Sequence, residues 1–237
     1  MRISLCVPMY NESSIIADTS RELHKYMTEH FGDDFEIIFA DDGSRDGSAE
    51  IVKSLDLSGV RVVGYEKNQG KGCAVRCGVL ASKGDIVLFT DADLAYGTDI
   101  IEQASDILER GEYEVLVASR AKHREGYEGY TPIRKLASKI YIKVINLFGG
   151  IKISDAQCGF KGFDGDIARN IFSYCKANNF AFDLEVILIA QKMKLKIFEL
   201  PAKIINHRES KVNVVKDAIR MLKEISRIKK NVRKIDI

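Results

Sequence analysis

The first 120 residues alternate short, unbroken apolar runs with amphipathic stretches, and this alternation constrains the fold more than any other feature. Runs at residues 3–7, 35–40, 60–65, 86–90 and 115–118 read as buried strands. Between them, residues 13–29, 48–55, 72–82 and 99–109 space their apolar positions as helices do. That order predicts an α/β fold with a mostly parallel central sheet and helices on both faces. Ligands of such sheets bind outside the carboxyl ends of the strands. The polar clusters fall there: Pro8-Met9-Tyr10-Asn11-Glu12, Asp41-Asp42-Gly43-Ser44, Lys67-Asn68-Gln69-Gly70-Lys71-Gly72 and Asp91-Ala92-Asp93. Four clusters at four strand ends predict one site along one edge of the sheet.

The remainder is less regular. Residues 120–130 read as a mobile loop, 133–148 as a helix stopped by Gly149 and Gly150, and 159–163 as a further strand. Helices are expected near 165–174 and 183–192, with a last short strand at 197–200 before Pro201. A chain of 237 residues suits one large domain, here 1–211, followed by a basic amphipathic helix over 212–237. It buries a full core without disulfides or a structural metal. The five cysteines have no framework spacing and read as reduced, packed thiols. The amino terminus turns polar too soon for a signal peptide, and no run reaches the ~18 apolar residues of a spanning helix. The expected location is therefore cytoplasmic, with peripheral contact at the cytoplasmic face of a membrane left open. Nucleic acid is a poor partner, because the basic tail lacks interleaved aromatics and the sheet-edge clusters are acidic.

Asp91 and Asp93 follow a buried apolar run, where two carboxylates converge on one hard cation or simply sit in a solvated turn. Mg²⁺ or Mn²⁺ suits such oxygen ligands and leaves positions for phosphate oxygens. Asp41 and Asp42 fit a strand-to-helix turn, with Asp46 or Ser48 capping the next helix, and equally an acceptor for a base or ribose. Residues 67–72 are either a plain glycine turn or a helix start whose amides face an anion; they lack the Walker pattern.

Taken in order, these motifs resemble those of the family 2 glycosyltransferases of GT-A fold. The later Ser154-Asp155-Ala156-Gln157-Cys158-Gly159-Phe160-Lys161, Phe182-Asp183-Leu184-Glu185 and Ser210-Lys211-Val212-Asn213 look like the polyprenyl-phosphate branch, which includes the dolichyl-phosphate glucose and mannose synthases. The resemblance implies an inverting enzyme that moves a hexose from a UDP- or GDP-sugar to a polyprenyl phosphate. It implies a donor pocket of Pro8, Tyr10, Asn11, Glu12, Asp41, Asp42, Lys71, Asp91, Ala92 and Asp93, with Asp91 and Asp93 on the metal. It implies Arg120, Arg134, Arg208 and Lys211 as the basic residues for the acceptor phosphate or the pyrophosphate. Two departures stand out: Ala95 replaces the glutamine of many mannose synthases, and the chain has no tryptophan where the glucose branch carries one.

A lipid monophosphate is mostly dianionic at neutral pH, so it needs positioning and charge compensation more than a base. A glycan hydroxyl, the alternative acceptor, needs a placed general base. Asp155 is the first candidate for the catalytic carboxylate, paired in the expected site with Arg120, and Asp183 and Glu185 stand behind it. Each of the three has a structural reading as a turn, cap or first-turn residue. A non-catalytic nucleotide-sugar-binding protein is the third function class. The terminal helix carries an apolar stripe, including Val215, Ala218, Leu222, Ile225 and Val232, beside a lysine- and arginine-rich face. It lies either on an anionic membrane or against the protein's own core.

Overall fold

The structure is a computed structural model that describes residues 1–130, 135, 142, 143, 146–206 and 214–236, the last segment with side chains from Glu224 onward. Seven strands form one sheet: β1 (Ile3–Met9), β2 (Phe35–Asp41), β3 (Val60–Gly64), β4 (Ile86–Phe89), β5 (Val115–Ser119), β6 (Lys161–Asp164) and β7 (Ile197–Pro201). Their spatial order is β3-β2-β1-β4-β6-β5-β7. The helices are α1 (Ile16–Phe31), α2 (Ser48–Ser54), α3 (Lys71–Ala81), α4 (Asp99–Glu109), α5 (Gly165–Tyr174), α6 (Phe182–Lys192) and α7 (Val214–Arg233).

Strand alternation sorts the core into two layers. Leu5, Val7, Leu88 and Leu116 point into one cluster with Leu23, Met27 and Ile101 from α1 and α4. Their neighbours Cys6, Val87, Phe89 and Val117 point the other way, against Val75, Phe172 and Phe182 from α3, α5 and α6. A one-residue slip in any central strand would exchange the two layers, so the two-sided burial fixes the register.

The mostly parallel sheet is as expected, with one exception that matters to the site. Strand β6 runs antiparallel between β4 and β5, with Phe89 opposite Lys161 in register. Its start therefore lies at the carboxyl end of β4, and residues 154–160 arrive on the functional edge. Hydrophobic alternation does not report strand direction, so the sequence carried no sign of this.

One further expectation changes, and one open alternative is narrowed. Residues 120–130 were expected to be mobile, yet Tyr127 is buried and lies 5.9 Å under the Arg120 guanidinium. The apolar side of α7, where described, turns inward: Ile225, Ile228 and Val232 are buried in the α6 layer. Lys192 Nζ of α6 donates to the carbonyls of Val232 and Arg233 at 2.9 and 3.0 Å, capping the end of α7. Most of the expected helix at 133–148 lies outside the described residues, as do Arg134, Arg208 and Lys211. Among the described residues no helix is long and apolar enough to cross a membrane.

At the opposite edge, buried Glu36 ties the sheet together. It accepts from Ser4 Oγ (2.6 Å), Lys83 N (2.7 Å), and Arg61 Nε and Nη2 (3.1 and 3.0 Å). Burial pushes its pKa up, but these donors outweigh burial and hold it below the usual glutamate value. A lowered folded-state pKa stabilises the fold above the unfolded value of about 4.3, and that contribution disappears as pH falls through the folded value. A Glu36→Gln variant is expected to lose about 1–3 kcal/mol at neutral pH. In urea titrations its deficit should shrink as pH drops below about 4, and a deficit constant with pH would exclude the charge as its source.

Candidate active site

Chain order places β2 and β3 on one side of β1 and β4 on the other, so the sheet reverses its winding between β1 and β4. A crevice opens at such a reversal, outside the carboxyl ends of the two strands. Residues 8–12 leave β1 there and residues 91–93 leave β4, each within a few residues of a paired strand position. Thr90 N still donates to Cys6 O at 3.1 Å, so Asp91 is the first residue free of the ladder.

The loop after β1 is fastened to the loop after β2. Asn11 N donates to Ser44 Oγ, Glu12 N to Ser48 Oγ, Ser13 N to Asp46 Oδ2 and Arg45 N to Asn11 Oδ1, each at 2.9 Å. Asn11 adopts a left-handed φ of 54°, which asparagine tolerates better than most residues. Burial pushes the Asp46 carboxyl up, but hydrogen bonds from Ser48 and Ser13 together outweigh it and hold the carboxyl at about 2. Pro8 is buried in β1, while Tyr10 stands 44% exposed at the rim.

The two adjacent aspartates separate in role. Asp42 is 3% exposed, and its carboxylate accepts from Tyr65 Oη (2.7 Å), Asn68 Nδ2 (2.8 Å), Gln69 N (2.8 Å) and Gly70 N (2.9 Å). An ionised carboxylate offers about four lone-pair sites, so nothing remains for a base or ribose. The expectation of ligand contact at Asp42 is corrected to an anchor for the 65–70 loop. Asp41 is half-buried with Oδ1 on Ser44 N at 3.0 Å, a lighter commitment than that of Asp42. The amides of residues 69–72 were an anion-site alternative. Three of the four are already used: Gln69 and Gly70 by Asp42, and Gly72 by Asn178 O at 2.9 Å. Gly43, at φ 75°, lets this loop approach, since a Cβ there would lie 2.8 Å from Asn68 N.

Lys71, the first residue of α3, pairs in direct contact with Asp91 Oδ1. The other oxygen of Asp91 faces Gly159, where a Cβ would collide with Oδ2. Behind Lys71 lies Asp183 in the first turn of α6, in direct contact with Lys161 Nζ. Lys161 is fully buried, donates to Cys158 O at 2.8 Å and sits 5.2 Å over the Phe89 ring. Charges therefore alternate from Asp91 through Lys71 and Asp183 to Lys161. Burial opposes the charge on Lys71, but Asp91, Asp183 and Asp93 outweigh it and raise its pKa. Burial raises the Asp183 carboxyl against the pull of Lys161 and Lys71. Asp93 is half-buried, with Oδ1 accepting from Ala95 N at 3.2 Å. Ala92 is buried, and its carbonyl takes Thr19 Oγ1 of α1 at 2.8 Å, which fixes the turn.

Farther along the edge, Arg120 leaves β5 and grips fully buried Asp155 in a fork: Nε to Oδ2 at 2.6 Å and Nη2 to Oδ1 at 2.9 Å. Burial opposes the guanidinium charge, yet its surroundings, Asp155 among them, hold its pKa well above the ordinary value. Asp183 is not a cap, because Ala181 holds that position. Glu185 accepts from Lys176 N and Ala177 N at 2.8 and 2.7 Å and fastens the 175–181 loop. Two residues at the edge were given no role from sequence, Gly159 and Lys161. Their nearness to Asp91 and Asp183 depends on the reversed β6. Among the described residues, the buried Thr90 Oγ1 and Gln157 Nε2 have no hydrogen-bond partner, and they flank Asp91 and Gly159 in sequence.

Gly159→Ala is expected to leave stability within about 1 kcal/mol, because the atom it meets is the far end of a side chain that can swing. A crystal structure should show the Asp91 carboxylate turned off Lys71. A loss above about 2 kcal/mol in urea unfolding would mean that the backbone, not Asp91, fills that space.

Comparison with known proteins supplies the family. The profile of Glycosyl transferase family 2 matches residues 4–172. A dolichyl-phosphate beta-glucosyltransferase of Trichomonas vaginalis is 34% identical over 88% of this chain and 65% of its own length. That of Dictyostelium discoideum is 30% identical over 96% of this chain and 73% of its own, and that of Saccharomyces cerevisiae 29% over 94% and 72%. Among solved structures, glucosyl-3-phosphoglycerate synthase of Mycobacterium tuberculosis, in complex with Mn²⁺, UDP and phosphoglyceric acid, superimposes with a TM-score of 0.71. It is 18% identical, covering 100% of this chain and 80% of that one. Mannosyl-3-phosphoglycerate synthase of Rubrobacter xylanophilus gives 0.65 at 20% identity, covering 99% and 74%. The fold is thus the GT-A fold that the sequence motifs implied, and the chain belongs to the family 2 glycosyl transferases.

Proposed function

We propose that this transferase moves a hexose, with inversion, from a nucleoside diphosphate sugar to a polyprenyl phosphate of dolichyl type. The relatives named dolichyl-phosphate beta-glucosyltransferase support the acceptor class. The single observation that carries it from this chain's own residues is the state of the three candidate base carboxylates. Asp155 is clamped by Arg120, Asp183 by Lys161, and Glu185 by two backbone amides. None of the three is left to take a proton from a hydroxyl, which favours an acceptor that arrives already ionised. Asp155 and Arg120 are then read as a positioning pair that shapes the acceptor end of the site. The reading as a glycan-hydroxyl transferase loses its base, and the non-catalytic reading has no support in the relatives.

On this reading Tyr10, Asn11, Glu12 and Asp41 receive the nucleoside, and Lys71, Asp91 and Asp93 receive the diphosphate. A divalent cation, Mg²⁺ or Mn²⁺, fits this donor set. Asp91 and Asp93 supply hard oxygens from one turn, and among the described residues no group of three acidic, cysteine or histidine side chains forms a closed site. Such cations are commonly held by one or two carboxylates, with phosphate and water completing the sphere. When bound, the cation would neutralise charge on the departing diphosphate as a Lewis acid. The unpartnered Gln157 Nε2, two residues before Gly159, suits a sugar or phosphate oxygen.

The described half of α7 turns a basic face outward. Lys229, Lys230, Arg233 and Lys234 border one groove with Phe148, and Leu147 and Phe148 are 75% and 55% exposed. This combination supports peripheral contact with an anionic membrane carrying the lipid acceptor. Co-sedimentation with phosphatidylserine vesicles should fall as salt rises, and no binding at low salt would end that reading.

The reaction is tested with UDP- and GDP-hexoses, Mg²⁺ or Mn²⁺, and dolichyl or undecaprenyl phosphate. Lipid-linked sugar from one donor is expected, with Asp93→Ala lowering transfer by at least about a hundredfold. Turnover only on a sugar hydroxyl would overturn the proposal.

A further inference from the structure

Lys71 is committed to the carboxylate that the proposed cation would use. Its ammonium contacts Asp91 Oδ1, and Oδ2 is turned toward Gly159, where a Cβ would meet it. One oxygen of Asp91 is therefore held by a charge, while the other lies over the space that the missing Cβ of Gly159 leaves. The pair is sheltered, with the two side chains 21% and 32% exposed, so water screens it less than a surface bridge. The alternative partner for Lys71 is Asp183, and that carboxylate already has a fully buried lysine on it. Asp183 thus offers Lys71 a weaker hold than Asp91 does. A divalent ion arriving alone would have to displace the ammonium from Asp91 and then sit beside it, two positive charges against a third. A diphosphate brings oxygens that accept the displaced ammonium and the cation together.

Resting on the cation reading above, we propose that Lys71 is a tethered counter-ion of the donor site. In the empty enzyme its ammonium holds Asp91, and it keeps out a divalent cation that comes without a diphosphate. When donor and cation come together, the ammonium passes to the diphosphate and Asp91 is released. The consequence is an order of binding in which the cation enters with or after the nucleotide. Lys71 then has a role in the empty state that is separate from any contact with the bound donor.

The test is Mn²⁺ binding to the full chain, read by the electron paramagnetic resonance of free Mn²⁺ and by calorimetry, with and without UDP. For the parent protein, Mn²⁺ should bind weakly alone and roughly ten- to a hundredfold more tightly with UDP. Lys71→Met should bind Mn²⁺ alone about tenfold more tightly than the parent. Lys71→Arg, which keeps the charge, should remain weak. Parent protein that binds Mn²⁺ equally well with and without UDP overturns the proposal without reference to any variant. Lys71→Met with unchanged or weaker Mn²⁺ affinity also overturns it, while tight Mn²⁺ binding in the presence of UDP leaves the cation reading standing. Failure of every form to bind Mn²⁺ even with UDP removes the cation reading and this proposal with it.

Discussion

A fully buried lysine, Lys161, lies in contact with Asp183, and the arrangement of the site depends on that pair. Two charges this far from water are costly to desolvate, and removing one partner would leave the other stranded at a cost of about 3–5 kcal/mol. The pair locks the start of β6 to the start of α6. In doing so it fixes two things at the carboxyl edge of β4: the closeness of Gly159 to Asp91, and the negative charge behind Lys71. Lys71 and Asp91 continue the same alternation to the rim, where it meets solvent. The site is thus the exposed end of a charge sequence whose inner end is structural.

Along the same edge most carboxylates are already engaged. Asp42 commits its whole acceptor capacity to one loop, Asp155 to one arginine, and Glu185 to two amides. Asp46 and Ser48 fasten the loop after β1 to the one after β2. Many of the acidic residues near the crevice therefore hold loops in place, which preorganises the few left facing it. Preorganised charge matters most where the reaction moves charge rather than protons, as in displacement by a phosphate.

Much of this was legible in the sequence. Apolar runs ending in polar clusters marked the strand positions and the functional edge, because two-sided burial demands unbroken apolar residues. Asp91 and Asp93 stood out for their place after the 86–90 run. The roles of adjacent carboxylates were not legible. Nothing in the string Asp41-Asp42 tells which one turns inward; the answer lies in Tyr65, Asn68 and Gly70, more than twenty residues away. The fork between Arg120 and Asp155 spans 35 residues, and both looked equally like ligand-facing groups.

By itself the sequence determined the α/β layering, the edge that carries the site, the Asp91-Ala92-Asp93 turn and the family. Local periodicity and turn chemistry encode these, and they act over a few residues. Only the tertiary structure decided which charges meet. It reversed β6 and brought Gly159 to Asp91, it buried Lys161 against Asp183, and it turned the apolar side of α7 toward α6. Those outcomes depend on how distant segments share one buried space, where an unpaired charge is costly and a neighbour is chosen by packing rather than by position in the chain.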